Sequence, residues 1–317
     1  MLLENFIFSV NAVAPMFIVM AVGYVLRIRG LTDVETNRKM NKVIFNVGIP
    51  LLLFRDVSAT NLSEFFDGLF LLFVVTATTI VFIVTMFVSM RYFKNRKIAA
   101  TFAQACYRGN FAIIGLPLTA HVLGPDNMGL GLLIMAFILP LYNVLAAIAF
   151  AGGEGQKLSG MAGFVALIRN IFNPLTIGIL SGVIFSLLRI QMPVLVSVPI
   201  DHIASMTTPL ALLIIGGNID YSRIRMCLVP ALWVTAIKLL IGPIIFVPIA
   251  LLIGFRADAI VVIYLMLAVP TAIVSYVVSS QMGGDEDLAL NSILLTMTFG
   301  LFTLTLGLFI LRSFGLI

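Results

Sequence analysis

Charge is what this sequence has least of. Only 10% of its residues are Asp, Glu, Lys or Arg, whereas a soluble domain carries about 25%. A surface so poor in charge cannot face water on all sides, so a soluble globular enzyme is excluded first. There are two cysteines and two histidines. Cys106 and Cys227 lie in or beside apolar stretches, with no spacing to His121 or His202 that would hold a metal. No H-E-x-x-H, no Gly-rich phosphate loop ending in Lys and Ser/Thr, and no G-x-S-x-G appears, so neither a metal nor a cofactor is expected. The net charge of +5 does not indicate nucleic acid, because the cations sit in short clusters between apolar runs.

Apolar residues make up 61% of the chain and the mean hydropathy is +1.15. A helix needs about 20 apolar residues to cross a bilayer. Ten such runs can be marked, at 6–26, 40–56, 69–90, 98–121, 128–151, 164–188, 200–217, 228–253, 258–281 and 288–311, the second and seventh being short. All are expected to be helical, since they lack barrel-type alternation and a lipid-facing backbone must bond to itself. The first run follows Glu4 and ends at Arg27 and Arg29 without a small-residue cleavage site, so it reads as a span and not a signal peptide.

Of nineteen Lys and Arg, thirteen lie in the odd-numbered connections, among them Lys94, Lys157, Arg169, Arg223 and Arg225. Four lie on the other side, and Arg108 and Lys238 fall inside runs. The positive-inside rule then places both termini outside.

Five runs per half is an odd number, so two homologous halves would be inverted. Prolines support such halves. Pro15 precedes Gly23 by eight residues, as Pro174 precedes Gly182, and Pro15 to Pro50 repeats the thirty-five-residue spacing of Pro174 to Pro209. The fourth and ninth runs each carry a further proline, Pro117 and Pro270. The expected organisation is a first repeat over 1–156 and a second, inverted one over 157–317, with interrupted helices marking a binding site between them.

Pro117 should free the Ile113 carbonyl, with Gly109 and Gly115 letting the chain leave helical geometry, and Pro270 should free the carbonyl of Met266. If the two breaks meet, helix N-termini and open carbonyls face one another, a setting for an anion and for a cation. An arginine at a helix centre costs about 2.5–3.5 kcal/mol. Arg108 therefore either faces a polar cavity or snorkels toward the Arg91–Lys97 cluster, and Lys238 either does likewise or bonds a carbonyl. All fourteen acids lie in connections or at run ends. Two inner cations without an inner acid favour a carboxylate-bearing ligand, and an acid-based proton relay or sodium site is not expected. Asn110 and Thr271 flank the breaks; Gln104, Asn143, Ser275, Ser279, Asn291 and Ser292 either join them or bond between helices.

Taken in order, these pieces resemble the auxin efflux carrier family, which includes plant PIN-type auxin exporters and bacterial malate and malonate permeases. The resemblance rests on Asn41 through Pro50-Leu51-Leu52-Leu53-Phe54, on Asn110, Gly115 and Pro117 in an N-x(4)-G-x-P pattern, on Lys238-Leu239-Leu240-Ile241-Gly242-Pro243, and on Ala268-Val269-Pro270 followed by Ile273-Val274. It implies ten helices in two inverted five-helix repeats, with runs one, two, six and seven as a scaffold through which a homodimer would form and the others as a moving transport domain. It implies a multi-pass carrier of the cell membrane working by alternating access of the elevator type. Its ligand would lie where the breaks at Pro117 and Pro270 cross, with Asn110 beside it. The connection between runs five and six is too short for the regulatory loop of the plant exporters, and Arg108 beside the asparagine looks more like the bacterial members, so a small organic anion such as malate, malonate or an auxin-like acid is expected rather than auxin itself. A sodium-coupled symporter of the related bile-acid type and a membrane sensor without flux are the rival readings.

Overall fold

The computed structural model describes residues 2–124, 127–150, 174–219 and 227–317. The start of the sixth run, the boundary between residues 156 and 157, and Lys157, Arg169, Arg223 and Arg225 lie outside the described residues. The described chain is helical, and its only β pairing is one isolated bridge. The helices are α1 Leu2–Ile28, α2 Val34–Val43, α3 Ile49–Ala59, α4 Gly68–Tyr92, α5 Arg96–Tyr107, α6 Leu116–Leu123 and α7 Gly129–Phe150. There follow α8 Pro174–Leu188, α9 Val194–Gly217, α10 Leu228–Ala236, α11 Gly242–Ile253, α12 Ala257–Ala268, α13 Val274–Gln281 and α14 Glu286–Ser313. Where the chain is described, the apolar runs fall mainly on helix, with breaks in the fourth and ninth. Among the described residues six helical stretches are long and apolar enough to cross a membrane: Leu2–Ile28, Gly68–Tyr92, Gly129–Phe150, Val194–Gly217, Leu228–Ile253 and Glu286–Ser313. The protein is therefore a multi-pass membrane protein.

Helix starts follow the short polar side chains between the runs. The Asp67 carboxylate accepts from the N–H groups of Leu69 and Phe70, Asp33 from Thr36 and Asp285 from Leu288. Each satisfies donors that a first helical turn leaves orphaned. The second run is longer than its apolar part because the polar helix α2, capped by Asp33, continues into it.

Three joints share one construction. Five-residue π turns, Ile44–Gly48, Phe111–Gly115 and Ile237–Ile241, each run into a helix whose second residue is proline: Pro50, Pro117 and Pro243. Proline has no N–H and its ring clashes with the carbonyl four residues back, and a widened turn relieves that clash without ending the helix. In the fourth run this shifts the expected interruption. Pro117 sits inside continuing helix, and the chain leaves helical geometry at Arg108–Asn110 instead.

Two groups of helix contacts stand out, and α1, which also lies along α14, joins them. In the first, α1 lies along α9 and α3 along α8. Glycine permits both crossings: a Cβ on Gly23 would lie 2.0 Å from the Leu213 carbonyl oxygen, and one on Gly182 would lie 2.8 Å from Val57 Cβ. These are the two glycines that each follow a proline by eight residues, and each faces a helix from the other half of the chain. In the second set α4 packs on α5 and α7, α10 on α14, and α11 on α12. Large apolar side chains such as Phe87, Trp233 and Leu252 point outward, while Arg108, Lys238, Asn110 and Gln104 are buried. A lipid-facing protein distributes its residues this way.

Candidate functional site: the crossing of two interrupted helices

The site forms where the break after α5 meets the break after α12. Proline drives the second one: the residue before a proline is pushed out of helical geometry, and Val269 is extended at φ −63°, ψ 145°. The first break depends on glycine. A Cβ on Gly109 would lie 2.9 Å from both Lys238 Nζ and Val269 Cγ2. The two breaks pair with each other across an antiparallel bridge between Gly109 and Thr271. The Asn110 N–H donates to the Pro270 carbonyl at 2.8 Å, and the Ala272 N–H donates to the Arg108 carbonyl at 2.9 Å.

Interrupting a helix orphans its last carbonyls, and five of them have partners at the crossing. At the end of α5, the Gln104 carbonyl accepts from Arg108 N–H at 3.1 Å and the Ala105 carbonyl from the Thr271 hydroxyl at 2.9 Å. The Tyr107 carbonyl accepts from Lys238 Nζ at 3.5 Å. At the end of α12, Leu265 accepts from Val269 N–H at 2.9 Å, and the Met266 carbonyl, which Pro270 cannot serve, accepts from Lys238 Nζ at 3.4 Å. The carbonyl expected to be freed is indeed freed, and it is Lys238 that bonds it. Thr271 is locked in from both sides, its N–H donating to Thr296 Oγ1 at 3.1 Å.

Arg108 is only 2% exposed, which rules out snorkelling. Its Nη2 donates to Asn143 Oδ1 at 3.1 Å, and its guanidinium carbon lies 5.8 Å from the centroid of the Tyr142 ring, a cation–π distance. Tyr142 is braced in turn: its carbonyl accepts from the Tyr107 hydroxyl at 3.2 Å, and its own hydroxyl accepts from Gly109 N–H at 3.4 Å. Three buried donors have no acceptor: Arg108 Nη1, Nδ2 of its partner Asn143, and Nδ2 of Asn110, two residues along the chain. A buried donor left unpaired costs about 1–3 kcal/mol. The arrangement is short of acceptors, with no carboxylate bonded to it among the described residues.

The structure thus brings Arg108, Asn110 and Asn143 together, sets Pro270 and Thr271 in the bridge, and puts Lys238 behind it. Gly115 and Pro117 stand along the helix that leaves the crossing. A Cβ on Gly115 would lie 2.1 Å from Phe111 Cδ2, so this glycine makes room for an aromatic ring. Ser275 and Asn291 are buried; elsewhere Ser279 Oγ donates to Gln104 Oε1 at 3.0 Å, and Gln104 Nε2, Ser275 Oγ and Ser292 Oγ lack partners. Sequence reasoning missed Tyr142 and Thr296. One aromatic or hydroxyl residue inside an apolar run carries no signal of its own, although Tyr142 does adjoin Asn143. The cavity beside Lys238, lined by Thr78, Cys106, Tyr107 and Met266 among others, has room for no more than about one water molecule.

Comparison with known proteins gives the family. The model of a family described as membrane transport protein matches residues 8–152 and 158–308. An "Uncharacterized transporter" of Methanothermobacter thermautotrophicus is 24% identical over 306 residues, covering 95% of this chain and 98% of that protein. A "Putative malonate transporter" of Rhizobium meliloti is 28% identical over 282 residues, covering 86% and 87%. A third relative, an "Uncharacterized transporter" of Methanocaldococcus jannaschii, is 20% identical over 313 residues, covering 93% and 96%. With nearly its whole length matched, the chain belongs to the membrane transport protein family, the auxin efflux carrier family that its motifs resemble.

Proposed function

We propose that this protein is a secondary carrier of a small organic anion, a carboxylate of the malonate or malate kind, held at the crossing by Arg108, Asn110 and Asn143. The observation that carries this reading is the buried, unpartnered Arg108 Nη1 together with the unpartnered Nδ2 of Asn143, which Arg108 Nη2 bonds, and of Asn110, two residues along the chain. A carboxylate supplies the acceptors they lack and the charge that Arg108 lacks, and guanidinium and carboxylate match in geometry. The helical stretch Phe111–Leu123 and the helix α13 both begin beside the crossing, so their positive ends add to the same field. The name of the Rhizobium meliloti relative points to the same chemical class.

Ten crossings in two inverted repeats accommodate the elements. Six are the long helices, and the others are α2 with α3, α5 with α6, α8, and α12 with α13. The mutual packing of α1 on α9 and of α8 on α3 supports that symmetry, because each pairs a helix of one half with its exchanged counterpart. In this reading α1, α2, α3, α8 and α9 form the scaffold, and the crossed helices move against it.

The test is a thermal-shift panel of mono- and dicarboxylates on purified protein. A saturable rise in melting temperature with one of them is the expected result. The absence of any carboxylate response, beside a response to a neutral or cationic solute, would overturn the proposal.

A further inference from the structure

Lys238 is 3% exposed, and among the described residues its ammonium is hydrogen-bonded only to the carbonyls of Tyr107 and Met266, at 3.5 and 3.4 Å. It comes from a third element, the π turn between α10 and α11, and its tip rests against Gly109. The two carbonyls belong to the C-terminal turns of α5 and α12, the half-helices that stop at the crossing. Each such end carries about half a negative charge, so a single positive charge between them balances both. In carriers built on interrupted helices, carbonyls at half-helix C-terminal ends are where a coupling sodium ion binds. An ammonium is a compact, strongly localised charge that can meet the same carbonyls.

We infer that Lys238 fills the coupling-cation position of this fold with a cation tethered to the protein, so that anion binding and transport proceed without sodium. The inference rests on the carrier reading for its functional meaning but not for its structural content. A symporter obtains the cation between these helix ends from solution and releases it in each cycle. Here the cation is covalently retained. The crossing is therefore assembled in any salt, and Arg108 on the neighbouring face is left free to meet the anion. Removing the ammonium while leaving its space open should hand the carbonyls to a dissolved alkali cation.

The experiment compares melting of the substrate-free protein in sodium chloride and in choline chloride at equal ionic strength, for the native chain and for Lys238→Ala and Lys238→Ser. Because no anion substrate is added, the outcome does not depend on whether the carrier reading is right. The native protein should melt at the same temperature in both salts. Both variants should melt lower in choline and recover several degrees in sodium, saturably, as a ligand bound only to the folded state requires. A variant that cannot be purified in choline should be recovered when sodium is present during extraction. Sodium-specific stabilisation of the native chain would overturn the inference, and so would variants that behave alike in the two salts or that sodium fails to rescue.

Discussion

The Asn110 N–H donates to the Pro270 carbonyl at 2.8 Å, tying two interrupted helices far apart in sequence into one crossing. It lies in the antiparallel bridge that pairs Gly109 with Thr271, beside the extended Arg108. The two residues differ in what remains open to a ligand. Both the N–H and the hydroxyl of Thr271 are spent on the protein, whereas Arg108 keeps a free Nη1.

Thr271→Val should therefore behave as a structural change. It preserves shape but leaves the Ala105 carbonyl without its donor, at a cost of about 1–3 kcal/mol. The expected outcome is a lower melting temperature with an unchanged dissociation constant for the carboxylate, measured by titration. A loss of affinity without a loss of stability would assign the hydroxyl to the ligand.

Asn143→Asp tests the charge balance of the site. The new carboxylate would take Arg108 Nη2 at the position of the present 3.1 Å hydrogen bond and neutralise the guanidinium. Anion affinity should fall about tenfold to a hundredfold, the equivalent of about 1.5–3 kcal/mol for a charge-assisted bond, while the unliganded protein melts at the same temperature or higher. Thermal shift reads both quantities on one sample.

Gly115→Ala should destabilise the chain by about 1–3 kcal/mol, because the added methyl falls on the Phe111 ring. Phe111→Leu in the same chain should restore most of that loss, since the obstacle is a side chain and not backbone. Melting temperatures of the two single variants and the double variant close the cycle.

At the helix crossings of the first set, Gly23→Ala should cost more than Gly182→Ala. The first methyl meets a backbone carbonyl oxygen at 2.0 Å and the second a side-chain carbon at 2.8 Å. Yields of folded protein after size exclusion should rank in that order, and the reverse order would contradict the packing described for α1 on α9.

How much of this was legible beforehand follows from which interactions are local. Apolar runs located the helices, because length and hydropathy are properties of a single segment, and caps such as Asp67 and Asp285 account for where they begin. Pro270 marked its break correctly, since a proline acts on the residue just before it. Pro117 suggested a break seven residues too late, because a π turn absorbs its clash and the actual interruption at Arg108–Asn110 is set by pairing with Pro270 and Ala272. Such pairing cannot be read from either segment alone. For the same reason the carbonyl partners of Lys238 were one of two open readings, and Tyr142 and Thr296 were not seen at all.

The measurement that bears most directly on the central claim is uptake of radiolabelled malonate into proteoliposomes by the native protein and by Arg108→Ala, both shown to be inserted in equal amounts. The account predicts saturable uptake by the native chain, competed by unlabelled dicarboxylates, and uptake at the empty-liposome level for the variant. Equal uptake by both proteins would contradict it, because a site that transports a carboxylate without its guanidinium is not the site described.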